Sequence, residues 1–127
     1  MRSRILKIPL DIIRHKGGGL DANNRYKDLP PDIIKNVLFS VQPFGGGTQQ
    51  VILPDGINAS DVRVLYSEDP ILTANRKKKL KADRVEIDGY VYVAYKVANW
   101  ALHGSKADHY ESLFIREDVA SQFKLEV

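Results

Sequence analysis

The chain has 127 residues, 43% of them hydrophobic and 28% charged, which excludes a wholly disordered polypeptide and supplies one domain with a modest core. It has no cysteine, which excludes a disulfide framework, a thiolate zinc site and a Cys nucleophile, and fits assembly in a reducing cytoplasm. The net charge of +3 is concentrated in Arg76, Lys77, Lys78, Lys79 and Lys81, and a bias this mild does not by itself require a nucleic-acid partner.

No apolar run approaches the roughly 18 residues of a membrane span. The basic start Met1-Arg2-Ser3-Arg4 leads into an apolar stretch broken by Lys7, Pro9 and Asp11, with no small-residue cleavage site, so a signal peptide is not expected. Residues 5–15 read as a strand, with Leu6, Ile8, Leu10 and Ile12 on one face at period two. Pro9 brings no N–H, which predicts an edge or bulged strand. Residues 16–29, rich in Gly, Asn, Asp and Lys, read as a loop ended by Pro30-Pro31.

Residues 32–39 are ambiguous. Ile33, Ile34, Val37 and Leu38 have helical spacing, yet Val37-Leu38-Phe39-Ser40-Val41 is β-prone, and a strand over about 35–43 is favoured. An irregular connection begins at Gly45-Gly46-Gly47, residues 49–53 read as a short strand or a turn of helix, and Pro54-Asp55-Gly56 is a turn. Residues 62–66 form a short strand. Residues 67–82, holding Pro70 and the basic run, are a long loop of the kind that is functional or mobile in a small domain.

Asp88-Gly89, between the apolar runs 83–87 and 90–100, signals a hairpin. Both faces of the second run are apolar: Val91, Val93, Tyr95 and Val97 on one, Tyr90, Tyr92, Ala94, Ala98 and Trp100 on the other. Such a strand is either covered on both sides within a barrel or sandwich, or turns one face to another subunit. A loop over 101–108, a strand over 109–116 and a tail over 117–127, helical or extended, complete a single domain without repeats.

Nothing in these segments assembles a catalytic or metal site. The two Gly-Gly-Gly runs lack the Lys-Ser/Thr of a phosphate loop, and they read as flexible loop. His15, His103 and His109 have no metal-ligand spacing. Ser105 near His103 and Asp108 lacks a nucleophile elbow, and the pairs Glu68-Asp69 and Glu117-Asp118 read as solvated surface. No cofactor and no enzymatic activity are expected. The basic residues Arg76, Lys77, Lys78, Lys79 and Lys81 are the candidate channel-facing or partner-gripping loop, with salt-sensitive phosphate contact as one use. Tyr90, Tyr92 and Trp100 are the candidate subunit-contact face, and base stacking is the competing use of such rings.

The residues Asp83, Val85, Glu86, Ile87, Asp88, Gly89, Tyr92, Val93, Trp100, His109, Tyr110 and Arg116 follow a pattern that resembles the small head–tail connector proteins of long-tailed bacteriophages, the head-closure, stopper or head completion proteins. Ser40-Val41-Gln42-Pro43 and Val62-Arg63-Val64-Leu65-Tyr66 resemble two further strands of that family, so the likeness covers roughly residues 36–118. The expected fold is all-β, a small barrel or sandwich of about six to seven strands with long loops. The resemblance implies a structural protein of the virion neck, assembled in the host cytoplasm. It implies a homo-oligomeric ring between portal or adaptor and tail-side neck proteins, closing the DNA channel, with non-specific contact to packaged DNA and none with membrane. A tail-completion protein, an OB-like nucleic-acid-binding module and, more remotely, a small hydrolase are the other readings, and fold alone does not separate them.

Overall fold

Alternating apolar residues in six segments close on each other as an antiparallel barrel, with strand order β1-β4-β5-β8-β7-β6. The computed structural model describes residues 7–16, 18–20, 23, 25–28, 30–44, 56–75, 80–99, 110–125 and 127. The barrel strands are β1 (Ile8–Arg14), β4 (Asp32–Pro43), β5 (Val62–Ser67), β6 (Arg84–Ile87), β7 (Tyr90–Asn99) and β8 (Tyr110–Arg116). The architecture is therefore all-β and a closed barrel rather than a sandwich. Between β1 and β4, where the sequence reads as loop, Gly18–Leu20 (β2) and Tyr26–Asp28 (β3) pair with each other in a separate two-stranded sheet. The glycines that argued for a loop do not prevent this pairing, because a short hairpin needs only backbone hydrogen bonds.

The barrel interior is filled by Ile12, Val37, Phe39, Leu65, Val85, Ile87, Tyr92, Ala94 and Phe114, all buried. Phe39 and Phe114 are fully enclosed, and burying rings of this size contributes about 2–3 kcal/mol each. Two irregularities keep apolar residues facing inward. On β4, Ile34 and Val37 are three positions apart, while their partners Ile12 and Leu10 on β1 are two apart. The extra residue is accommodated at Asn36, which takes φ 58° and donates its N–H to Asp11 Oδ1 at 3.0 Å instead of to the ladder. That bulge explains the helix-like spacing of Ile33, Ile34, Val37 and Leu38 within a strand.

A second register shift, at Tyr95, lets Lys96 oppose Leu113 and returns Val97 to the inner side with Tyr92 and Ala94. Strict alternation had placed Val97 on the opposite face; the extra residue reverses it. The β6–β7 hairpin turns through Asp88 (φ 51°) and Gly89 (φ 84°), closing on Ile87 and Tyr90. Two positive φ angles are what a two-residue turn of type I′ requires, and Asp-Gly supplies them at low strain.

The apolar outer face of β7 is covered by the chain itself. Val62 and Val64 of β5, Val93 of β7, and Leu113 and Ile115 of β8 form a second core with Ile57, Val119 and Ala120. Val119 and Ala120 belong to the helix α1 (Glu117–Gln122), so the tail is helical and packs on the barrel wall. The helix stops in a Schellman arrangement: Leu125 N–H bonds to Ala120 O at 3.0 Å and Lys124 N–H to Ser121 O at 3.1 Å, with Lys124 at φ 54°. Leu125 then packs on the second core.

Candidate functional site

The long connection from β5 to β6 is fastened at its base by one buried carboxylate. Asp83, with a fully buried side chain, receives Arg14 Nε on Oδ1 at 3.0 Å and Arg14 Nη2 on Oδ2 at 2.8 Å. Leu72 N–H donates to the same Oδ2 at 2.8 Å, and Asp83 N–H returns a bond to Leu72 O at 2.9 Å. Arg14 also donates to Pro70 O at 3.0 Å. Three donors on one enclosed carboxylate are the arrangement that makes a buried charge tolerable. The same contact holds the Arg14 guanidinium more firmly protonated than an ordinary arginine.

Around this clamp the connection is structured over residues the sequence left as open loop. Ile71 and Ala82 are buried in the inner core, Ser67 Oγ donates to Asp69 O at 2.8 Å, and Asn75 and Leu80 exchange backbone hydrogen bonds at 3.0 and 2.9 Å. Four residues link Asn75 to Leu80, and they are Arg76, Lys77, Lys78 and Lys79. Those four lie outside the described residues, as does Trp100. Lys81 follows the bridge and is exposed.

The two tyrosines of the expected contact face are placed differently. Tyr90 is 53% exposed, whereas Tyr92 is 4% exposed and belongs to the inner core. Tyr92 therefore presents no outer ring face, because its position in β7 points it into the barrel. Arg116 lies over the Tyr90 ring with its guanidinium carbon 4.6 Å from the centroid, and Arg63 lies 5.8 Å from that of Tyr92. Arg116 is also paired with Asp118 through two hydrogen bonds, and its Nη1 is 3.8 Å from Asp61. The Arg116 hydrogen bond holds the Asp118 carboxyl down at about 2.

His15, beside the clamp, is pushed below the usual histidine range by burial and then by the cations Arg84 and Lys81. No group of three metal-ligating side chains occurs among the described residues, and none of their helices is long and apolar enough to cross a membrane. Arg14 and its pairing with Asp83 were not readable from the sequence, because the two residues are 69 positions apart. The available hint was an acidic residue at the start of an apolar run, Ala82-Asp83-Arg84-Val85.

Comparison with family profiles and with curated proteins finds no match for this chain.

Proposed function

We propose that this chain is a structural connector of a tailed-phage neck, a ring-forming protein that joins the DNA-filled head to the tail and closes the portal channel. The observation that carries the reading is a coincidence of pattern and architecture. Several of the described residues that resemble the connector family are ones on which this barrel is built. Asp83 is the clamp, Val85, Ile87 and Tyr92 line the interior, Asp88 and Gly89 make the hairpin turn, and Val93 anchors the second core. Arg116 ends β8 and ties it to the helix through Asp118. The result is a closed barrel whose β5–β6 connection, which carries the basic run in sequence, is fastened at its base, and this suits joining by shape and charge.

The test is the copy number of this chain in purified particles from the phage or induced lysate that encodes it, by quantitative mass spectrometry. A fixed number matched to the portal, or a simple fraction of it, is expected. Absence from tailed particles overturns the proposal. A tail-completion role differs only in position along the neck, which particle imaging assigns. The OB-like module uses the same loop on nucleic acid. It predicts salt-sensitive binding by the isolated chain, weakened when Lys77, Lys78 and Lys79 are reversed in charge. The buried ring of Tyr92 and the guanidinium over Tyr90 weigh against that second reading.

A further inference from the structure

The barrel is joined between β1 and β6 by two residue pairs only, Ile12 with Val85 and Ile13 with Arg84. Toward Pro9 and Asp88 the two strands part. The opening is a groove of about 530 Å³ on the outer wall, bounded by β1, β4 and the β6–β7 turn. Pro9, Ile13 and Ile33 give it apolar walls, and Ile33 is 49% exposed. Asp11, Glu86 and Asp88 line it as well. All three carboxylates are exposed, and none is ion-paired among the described residues. Asp11 spends one oxygen on Asn36 N–H, which fixes that side chain toward the groove without neutralising it.

A mixed trough, with Pro9, Ile13 and Ile33 on its walls and three carboxylates unpaired among the described residues, repels phosphate and selects a cationic segment with an aliphatic stem. The chain carries one run of that composition, Arg76-Lys77-Lys78-Lys79-Leu80-Lys81. Its base is fastened beside Arg14, at the opposite end of β1 from Pro9 and away from the Asp88 turn. We propose that the groove between β1 and β6 receives the basic loop of a second copy of this chain. The contact joins two different surfaces, loop on one copy and groove on the next. It is therefore heterologous, and a heterologous contact closes into a ring when its rotation permits. Pro9, with no N–H to offer, keeps the open strand edge from templating unlimited β-pairing. The inference rests on the connector reading only for the idea that copies meet head to tail.

The absence of native cysteine makes the test direct. Lys78→Cys and Asp88→Cys are introduced together into the full chain and oxidised at low salt. A ladder of covalent oligomers is expected, absent from either single-cysteine variant beyond its own symmetric dimer. A cross-link confined to one chain, or no cross-link beyond that of the single variants, overturns the proposal. Charge reversal provides a second readout by sedimentation. Glu86→Lys with Asp88→Lys, or Lys77→Glu with Lys78→Glu, is expected to raise the self-dissociation constant at least about tenfold. All four changes together restore association. Reversals without effect, or a combined variant that fails to recover while keeping its β circular dichroism, sink the contact. Oligomers that form by this contact in a chain missing from virions would remove the neck reading and leave the contact standing. Normal incorporation of a reversed variant into virions would remove the contact alone.

Discussion

Replacing Asp83 with Asn tests the clamp that fastens the β5–β6 connection. The substitution keeps the shape but removes the charge. It also turns an NH₂ group toward a donor that now meets an oxygen: with the amide oxygen kept for Arg14 Nη2 and Leu72 N–H, the NH₂ faces Arg14 Nε, 3.0 Å from that position. Breaking a buried pair by changing one partner costs about 3–5 kcal/mol. Asp83 is fully buried and Arg14 is 24% exposed, so the guanidinium recovers part of its hydration and the low end, about 3 kcal/mol, is expected. With a urea slope of about 1.5 kcal/mol/M, the unfolding midpoint falls by roughly 2 M. Amide exchange at Asn75 and Leu80 is expected to accelerate more than exchange within β7 and β8, because their bridge depends on the clamp. The double variant Arg14→Met with Asp83→Leu is expected to regain part of the loss, since an apolar pair needs no desolvation, leaving about 1–2 kcal/mol for the stranded Leu72 N–H. A cost below about 1 kcal/mol for Asp83→Asn, or a double variant whose loss equals the sum of the singles, refutes the argument.

Further substitutions probe single physical effects. Ser112 Oγ is buried without a hydrogen-bond partner among the described residues, so Ser112→Ala is expected to stabilise the fold by about 1 kcal/mol in urea melts, despite the small void it leaves. Lys124 holds a left-handed conformation at the helix end, and Lys124→Gly is expected to add about 1 kcal/mol by the same assay. Gly56 and Gly89 both have positive φ, but a Cβ at Gly56 meets the Phe123 ring at 2.6 Å while one at Gly89 meets nothing within 4 Å. Gly56→Ala is therefore expected to lower the thermal midpoint more than Gly89→Ala. Two acidic limbs are expected in stability against pH. The Asp118 carboxyl is depressed from 3.8 to about 2, so its contribution is complete above 3.8 and is lost as pH falls through 2; Asp118→Asn flattens that limb. His15 is lowered from 6.5, so the unfolded chain takes up its proton first and stability declines as pH drops below 6.5; His15→Gln removes that slope.

The hairpin at Asp88-Gly89 was legible in the sequence because a two-residue turn leaves a local signature. The strands around it were legible because period two survives along most of their length. Where alternation failed, the cause was an inserted residue: Asn36 shifts β4 and Tyr95 shifts β7, and neither is marked by composition. Pro9 pointed to an edge or a bulged strand; β1 is not an edge, since it pairs with β4 on one side and at two positions with β6 on the other, but its register with β4 does shift between Leu10 and Ile12. The two apolar faces of β7 posed a choice between self-cover and a partner, and α1 with Ile57 supplies cover for Val93. That cover comes from distant segments, so no window of sequence displays it. The basic run was legible as charge, but the base that holds it was not. Arg14 reaches Asp83 only after the barrel has brought β1 beside β6.

That late meeting sets the order of assembly. Hairpins β6–β7 and β7–β8 close short stretches of chain, whereas the Arg14–Asp83 contact spans 69 residues and brings together strands joined by two pairs. Long-range closure pays its chain entropy before it gains contacts, so this joint forms last, after a curved open sheet has built up from β1 through β4, β5, β8 and β7 to β6. A nascent chain or a heated one thus passes through an open sheet in which β1 lies on β4 but its seam with β6 is unmade and Val85 is uncovered. Contacts across that seam are then made after the rate-limiting step, so substitutions at Arg14, which reaches Asp83 across it, should change the unfolding rate far more than the folding rate.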